Sequence, residues 1–398
     1  MNNEWLELPI GDLATVILGQ SPPSETYNQN RNGLPFYQGK ADFGAINPVT
    51  RFWCSTPSKV AKTNDILMSV RAPVGDLNIA SEDCCIGRGV AAIRAINVES
   101  KYLFYQLDFH KPEISLLAQG STFEAISGTE IRGFKIPLAN ENEQKKIAEI
   151  LTSVDKVIEL TEIEIEQLKN LKKGMMQDLL TKGIGHSKFK DSPIGKIPES
   201  WEVTQVTNVI SKNIYGPRFN ANDYNENGNV RTIRGTDVDS DGILNYLTAP
   251  LAKLDEKLVE THKLDNLDVV VVTTADCGVT SVFEEKKNRY IPSAYMVKLR
   301  FKNDQYNPYF FKFLMGIDLM KGQIEASIRK GTVANLPGSD LIKFKIPFPP
   351  KDEQDEIVKI LQCVDRNISS KKIKLSNLKK IKKGLMQDLL TGKVKVKV

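Results

Sequence analysis

The chain has 398 residues, of which 41% are hydrophobic and 26% charged, so it can form more than one domain with its own core and is not intrinsically disordered. The net charge is only +5, and nucleic-acid binding would therefore need local basic surface. Five cysteines without a CxxC pair exclude a disulfide scaffold, no apolar run approaches the ~20 residues of a membrane span, and the first residues lack a signal-peptide layout. We expect a soluble, cytoplasmic, multi-domain protein without a membrane partner.

Residues 1–140 predict a first mixed α/β domain, called the first head below. Short apolar runs bounded by turn residues, at 34–38 and 65–70, predict strands. A helical patch follows at 102–107.

Residues 141–182 predict a long helix. Apolar residues recur there at steps of three and four, with one polar position at Thr161. A stripe sustained over this length predicts a helix packed along another helix. We expect Ile147, Leu151, Val154, Ile158 and Leu168 to form its core, and the same stripe includes Leu171.

The second half has the same organisation. Residues 183–350 comprise a linker at 183–200 and a second head, with predicted strands at 230–234 and 269–273 and a helical patch at 309–315. Residues 351–391 predict a second long helix, and 392–398 are a basic tail. The predicted core of this helix consists of Ile357, Leu361, Val364, Ile368 and Leu378, and its stripe includes Ile381.

The two long helices are copies of each other. Residues 172–181 (KKGMMQDLLT) return as 382–391 (KKGLMQDLLT), and 20 of 39 positions are identical between 143–181 and 353–391. The heads match only loosely. Such self-similarity indicates an internal repeat with two variable heads and two nearly constant helices. The first helix is acidic at its centre and the second is basic, so centre-to-centre pairing would be complementary.

No catalytic motif withstands inspection. Residues 33–40 resemble a phosphate-binding loop, but five residues separate the glycines and Ala41 follows Lys40 where serine or threonine should ligate magnesium. The dinucleotide, metalloprotease, hydrolase and kinase motifs are missing from the sequence. The triplet at 99–101 resembles a nuclease element, but such triplets recur by chance in so charged a chain. We therefore expect a non-catalytic chain.

The repeated helices resemble those of a known family. The residues that carry the resemblance are 136–151, 154–155 and 171–180, with their recurrences from 346 to 393, together with 195–201 and 119–123. The chain resembles the specificity (S) subunit of type I restriction-modification systems over essentially its whole length.

The resemblance implies an α+β fold. Two mixed α/β target recognition domains, the two heads, would be separated by two long helices that form an antiparallel coiled coil with an internal pseudo-two-fold repeat. Each head would read one half of a split, asymmetric site in double-stranded DNA. The chain itself would hold no cofactor. Its partners would be two methyltransferase (modification) subunits, which use S-adenosylmethionine, and translocating restriction subunits, which use ATP and magnesium.

Candidate DNA-binding residues follow matched strands of the two heads. Gln38 and Lys40 of the first head correspond to Arg234 and Thr236 of the second. Glutamine suits adenine and arginine suits guanine in the major groove, so this pair is expected to carry sequence choice. Weaker candidates are Arg71, Arg88, Arg329 and Lys330 as phosphate contacts, and Ser121, Thr122 and Thr332 in glycine-led loops.

Two alternatives remain open at this point. A coiled-coil scaffold without sequence-specific DNA binding would leave the diverged heads unexplained. A self-sufficient DNA-modifying enzyme would bind S-adenosylmethionine, for which the motifs are missing. Residues 371–398 carry ten lysines against one acidic residue, and this stretch is either a DNA- or partner-facing stripe or a solubilising end.

Overall fold

The structure is a computed structural model, and it describes residues 5–118, 125–302, 304–329 and 333–397. It divides into two compact units, of which the first comprises residues 1–163 and 372–398 and the second 164–371. Each unit thus contains one head, half of one long helix and half of the other. This grouping differs from the linear order of heads and helices that we took from the sequence.

The first head consists of eleven strands and four helices in its described part. The strands are β1 (Leu6–Pro9), β2 (Ala14–Leu18), β3 (Tyr27–Asn28), β4 (Leu34–Tyr37), β5 (Phe52–Cys54), β6 (Val60–Ala61), β7 (Ile66–Ser69), β8 (Leu77–Ile79), β9 (Cys84–Ile86), β10 (Val90–Ala95) and β11 (Lys135–Leu138). The helices are α1 (Ile10–Leu13), α2 (Ser100–Phe109), α3 (Lys111–Leu117) and α4 (Gly128–Gly133), and the long helix α5 (Glu141–Lys182) follows.

The second head has a similar order, with an added hairpin formed by β12 and β13, an added helix α7, and nine further strands where the first head has eleven. Its strands are β12 (Phe189–Ser192), β13 (Gly195–Pro198), β14 (Glu202–Gln205), β15 (Ile210–Tyr215), β16 (Val230–Ile233), β17 (Leu251–Ala252), β18 (Val269–Val272), β19 (Thr280–Val282), β20 (Tyr290–Pro292), β21 (Met296–Phe301) and β22 (Lys345–Phe348). The helices are α6 (Val206–Val209), α7 (Glu256–His262), α8 (Pro308–Met315), α9 (Asp318–Ser327), α10 (Gly338–Leu341) and the long α11 (Lys351–Leu390).

Each head is built on the same antiparallel four-stranded sheet. Its strand order is β2-β10-β7-β8 in the first head and β15-β21-β18-β19 in the second. The central strands β7 and β18 are fully buried and apolar except for Ser69 at the end of β7, because both faces of the sheet are covered. In β18, Val269 and Val271 pack into the core on the helix side, while Val270 and Val272 pack into a second core. This split follows from the alternation of side chains along a strand.

A second sheet in each head contains one parallel pair. In the first head β4 runs parallel to β9, and in the second head β16 runs parallel to β20. The other pairs of these two sheets are antiparallel. Because parallel strands end at the same sheet edge, the residues that follow β4 and β9 lie together, as do those that follow β16 and β20.

The two predicted long helices are present, and they pair antiparallel within each unit. In the first unit Asp155 and Glu162 of α5 bind Lys382 and Lys379 of α11, at 2.8 and 2.7 Å. In the second unit Glu164 and Lys172 bind Lys371 and Asp365, both at 2.6 Å. In both units the residue number on α11 falls as the residue number on α5 rises, so the helices run in opposite directions. The antiparallel arrangement predicted from the family resemblance is therefore confirmed.

Most of the predicted helix core is buried. Ile147, Leu151, Ile357 and Leu361 are fully buried, and Ile158 and Ile368 are 9% and 6% exposed. Val154, Leu168, Val364 and Leu378 are half-buried. Leu171 and Ile381, which belong to the same apolar stripes but not to the predicted core, are 54% and 52% exposed.

The ends of the long helices belong to the cores of the heads. Leu151 packs with Tyr102 and Tyr105 of α2 and with Leu390 of α11. Leu361 packs with Trp201 and the aromatic residues of α8. The fully buried helix positions therefore pack against the head as well as against the other long helix.

A buried lysine makes the stability of the second head pH-dependent. Lys298 on β21 is 1% exposed, its Nζ donates to the carbonyl of Lys263 at 2.7 Å, and Asp268 lies at 4.0 Å. Burial lowers the pKa of Lys298 to about 8, although Asp268 opposes this shift. Between that value and the unperturbed pKa of about 10.4, the unfolded chain binds more protons than the native one, so stability rises with pH.

We therefore expect the free energy of unfolding of the second unit to increase between pH 8 and pH 10 by roughly 2 kcal/mol through Lys298. Urea unfolding of the wild type and of Lys298→Met at both pH values measures this contribution. Both proteins share the other titrating groups, so the difference between their changes in unfolding free energy reports Lys298 alone. An identical pH slope in the two proteins would refute the assignment.

Candidate nucleic-acid interface

The first head carries a cleft of about 580 Å³ at the edge where β4 and β9 end. Four of the predicted DNA-binding residues line it, although they come from three separate segments: Gln38, Lys40, Arg71 and Arg88. The remaining lining residues are Ser21, Pro22, Ser24, Tyr27, Gly39, Ala72 and Gly89. The structure thus assembles one polar, cationic cleft from residues that the sequence only suggested one by one.

Backbone hydrogen bonds hold the loops of the cleft in place. The amide of Gly87 donates to the carbonyl of Tyr37 at 2.8 Å, and that of Val70 donates to Gly89 at 3.0 Å. Gly89 has no space for a side chain, because a Cβ there would lie 2.2 Å from the carbonyl oxygen of Gln38. The amide of Gln38 donates to the buried carboxylate of Asp42 at 2.7 Å. These contacts fix the backbone of Gln38 while its side chain remains exposed.

The charge in the cleft is only partly neutralised. Lys40 lies 3.4 Å from Asp76, and the Nε of Arg88 donates to the hydroxyl of Ser21 at 3.2 Å. The guanidinium of Arg71 is exposed and has no side-chain partner within the described ranges. Cations that the protein leaves unpaired at a surface suit the phosphates of a nucleic acid.

In the second head the equivalent residue, Arg234, is engaged by the protein. Its backbone amide donates to Asp237 at 2.9 Å, as that of Gln38 does to Asp42. Its Nε and Nη2 bind the two carboxylate oxygens of Asp237 at 3.0 and 2.9 Å, and Nη2 also donates to the carbonyl of Thr248 at 3.0 Å. Burial disfavours the charge on Asp237, but hydrogen bonds from Arg234 and Thr248 lower the pKa of Asp237.

This ion pair limits what Arg234 can read. A bidentate contact with guanine needs two neighbouring N–H donors. Nε and both protons of Nη2 are already used, so Arg234 can offer a base only its Nη1. The structure favours a role in which Arg234 braces the loop, and base reading by Arg234 remains an untested prediction.

The other predicted residues are less informative. Thr236 is exposed next to this ion pair, and Arg329 is exposed at 3.8 Å from Asp340. Ser121, Thr122, Lys330 and Thr332 lie outside the described residues.

Two residues of the first cleft, Ser21 and Tyr27, were not predicted from the sequence. A usable signal was the spacing Gly19, Tyr27, Asn28, which recurs at an offset of 197 as Gly216, Tyr224, Asn225.

The described residues offer no metal centre and no membrane span. Within these ranges no three His, Cys, Asp or Glu side chains cluster in a way that could hold a metal ion. A search of the described helices for a membrane-spanning segment found none.

The adjacent thiols of Cys84 and Cys85 are buried in β9, and burial raises the pKa of both to about 12. They are neutral core residues.

The sequence matches the type I restriction modification DNA specificity domain over residues 2–170 and again over 198–380. The MjaX specificity subunit of Methanocaldococcus jannaschii, a putative type I restriction enzyme subunit, is 46% identical over 45% of this chain and 43% of that protein. The MjaVIII specificity subunit of the same organism is 26% identical over 99% of this chain and 94% of its own length. The Escherichia coli EcoBI specificity subunit is 21% identical over 95% and 84%.

Two solved structures share the fold. The S subunit of a type I restriction-modification system from M. genitalium gives a TM-score of 0.63 at 17% identity and covers 98% of this chain and 97% of that one. A chain from a study of complex assembly and conformational transition in a type I restriction-modification system gives 0.60 at 17% identity, with 99% of both chains covered.

These comparisons confirm the family resemblance read from the repeated helices and the predicted fold class. They also support a DNA-recognition role for a non-catalytic subunit, and they do not favour the scaffold alternative. The chain belongs to the family of DNA specificity subunits of type I restriction-modification systems.

Proposed function

We propose that this chain reads a split, asymmetric site in double-stranded DNA, one half-site with each head. The observation that carries the proposal is that the two heads share the strand order of the four-stranded sheet and one loop edge but present different chemistry at that edge. The first head offers Gln38, Lys40, Arg71 and Arg88 where β4 and β9 end. Different side chains on two equivalent frames predict two different half-sites.

The proposal includes two methyltransferase subunits and the restriction subunits as partners. Exposed apolar residues recur at equivalent positions of the long helices: Ile163 and Ile373 are 45% and 64% exposed, and Leu171 and Ile381 are 54% and 52% exposed. A repeated apolar position on an otherwise charged helix suits docking of two copies of one partner. S-adenosylmethionine would belong to the methyltransferase subunits, and ATP and magnesium to the restriction subunits.

Single-molecule methylation mapping tests this function. DNA from cells that express this chain with its neighbouring methyltransferase subunit is compared with DNA from cells that express the methyltransferase alone. We expect adenine methylation at one split, asymmetric motif only when this chain is present. If both proteins are folded and associated but no new motif arises, the proposal fails.

Two variants of the first head separate base reading from phosphate binding. Gln38→Ala should relax one base position of the first half-site, at a cost of ~1–3 kcal/mol in discrimination. Arg71→Ala should weaken binding to all sequences alike and reduce the slope of log affinity against log salt by about one. Both are measured on the complex with the methyltransferase. A sequence-specific effect of Arg71→Ala, or a uniform effect of Gln38→Ala, would reverse these assignments.

A further inference from the structure

We propose that the second head reads its half-site through Arg218 and Tyr295, and that Arg234 only positions its own loop. Arg218 would contact a guanine edge in the major groove, and the ring of Tyr295 would contact a neighbouring base. This inference rests on the proposed function, because it names the reading residues of the second head.

The first observation is that Arg218 occupies the place of Ser21. The amide of Gly19 donates to the carbonyl of Val90 at 2.8 Å, and that of Gly216 donates to Met296 at 3.0 Å. Both bonds join the end of the first sheet strand to the start of its neighbour. Counting two residues onward from each glycine leads to Ser21 in the first head and Arg218 in the second.

The second observation is that Tyr295 occupies the place of Gly89. The amide of Thr273 donates to the carbonyl of Tyr295 at 3.0 Å, as that of Val70 does to Gly89. In the first head this position has no room for a side chain. In the second head the tyrosine is 63% exposed, so a large ring projects from the same loop edge.

The third observation is that the arginine has changed loops. In the first head Arg88 contacts Ser21, at 3.2 Å between Nε and the hydroxyl oxygen. In the second head the equivalent of Arg88 is Ala294, and the equivalent of Ser21 is Arg218. Each head therefore presents one arginine at this pair of positions, but from opposite loops.

The hydrogen bonds that Arg218 and Arg234 already make indicate which of them can read a base. The guanidinium of Arg218 is exposed and forms no hydrogen bond or ion pair within the described part of the chain, so it can present two neighbouring donors to guanine. Arg234 has its Nε and Nη2 bound to Asp237 and Thr248. The segment that carries Tyr295 lies against both loops, because the amide of Ser293 donates to the carbonyl of Ile233 at 2.7 Å and the amide of Gly216 donates to that of Met296 at 3.0 Å.

Methylation mapping of the complex with the methyltransferase tests the inference, using Arg218→Ala, Arg218→Lys and Tyr295→Ala. We expect Arg218→Ala to relax one guanine position of the second half-site by roughly tenfold to hundredfold and to leave the first half-site unchanged. Arg218→Lys should also relax it, because lysine keeps the charge but not the planar fork. Tyr295→Ala should relax a neighbouring position of the same half-site.

Arg234→Ala and thermal unfolding serve as controls. Arg218 and Tyr295 are exposed, so their variants should unfold at the wild-type temperature, whereas Arg234→Ala should lower that temperature because Asp237 loses its partner. An unchanged second half-site in Arg218→Ala would overturn the inference. Full rescue by Arg218→Lys would also overturn it, since that result would show that the charge is needed and the pair of neighbouring donors is not. If the wild-type complex methylates no split motif, the proposed function itself is refuted.

Discussion

Leu151→Asp is expected to unfold the first unit. Leu151 is fully buried and packs against Tyr102, Tyr105 and Leu390, where α5, α2 and α11 meet. Truncating a buried leucine costs about 2–5 kcal/mol, and a buried carboxylate without a partner adds several more. The sum approaches the whole stability of a typical domain, about 5–15 kcal/mol. Thermal unfolding followed by circular dichroism should show the transition of this unit lost or strongly lowered.

Leu160→Asp is the matched control for this change. It introduces the same charge in place of the same residue on the same helix, but Leu160 is 48% exposed. Its cost should stay near 1 kcal/mol, from the lower helix propensity of aspartate and repulsion from Glu164 four residues on. Similar melting of both variants would show that the helix, and not the buried contact, is what Leu151→Asp damages.

The repeat and the helices could be predicted because their signals are local. Identity over a long ungapped stretch fixes the repeat, and an apolar stripe needs only its own helix to be recognised. Even its polar interruption is accommodated: Thr161 is 2% exposed, and its hydroxyl donates to the carbonyl of Val157 at 2.7 Å. The stripe therefore continues through Thr161 without an unpaired polar group.

The exposed members of the stripes could not be recognised from the pattern. An α-helix has 3.6 residues per turn, so a stripe with a shorter repeat drifts around the helix over many turns. Leu171 and Ile381 lie where that drift brings an apolar residue to the surface. The sequence records that these positions are apolar, but it does not distinguish contact with the other helix from contact with another protein.

The site was predictable only in part, for a related reason. The parallel pairing of β4 with β9 brings Gln38 and Arg88 together, and matched strands in both heads pointed to that edge. Whether an arginine is free depends on contacts within the loops of its own head, and the loops of the two heads share little sequence. The bond between Arg234 and Asp237 uses a turn one residue shorter than that of Gln38 and Asp42, so a residue-by-residue match did not reveal it.

Gly216→Ala should disable the second head selectively. A Cβ at Gly216 would lie 2.1 Å from the carbonyl oxygens of Pro292 and Ser293, and both are backbone atoms that cannot rotate away. The loop that carries Arg218 would have to separate from the loop that carries Tyr295, at a cost of about 3 kcal/mol, the upper part of the usual range for overpacking. We expect a lower unfolding temperature of the second unit and loss of the second half-site from the methylation motif, with the first half-site retained.

Gly235→Ala tests whether space is the cause. This glycine lies beside Arg234 at the same loop edge, but a Cβ there would meet only the two methyl groups of Val272, at an ordinary 3.4 and 4.0 Å. Alanine at such a position restricts the unfolded chain and should stabilise the protein by about 0.4–1 kcal/mol. The two substitutions are chemically identical and should therefore act in opposite directions. If Gly216→Ala unfolds at the wild-type temperature and the complete motif is still methylated, the close approach of these loops is not needed for recognition by the second head.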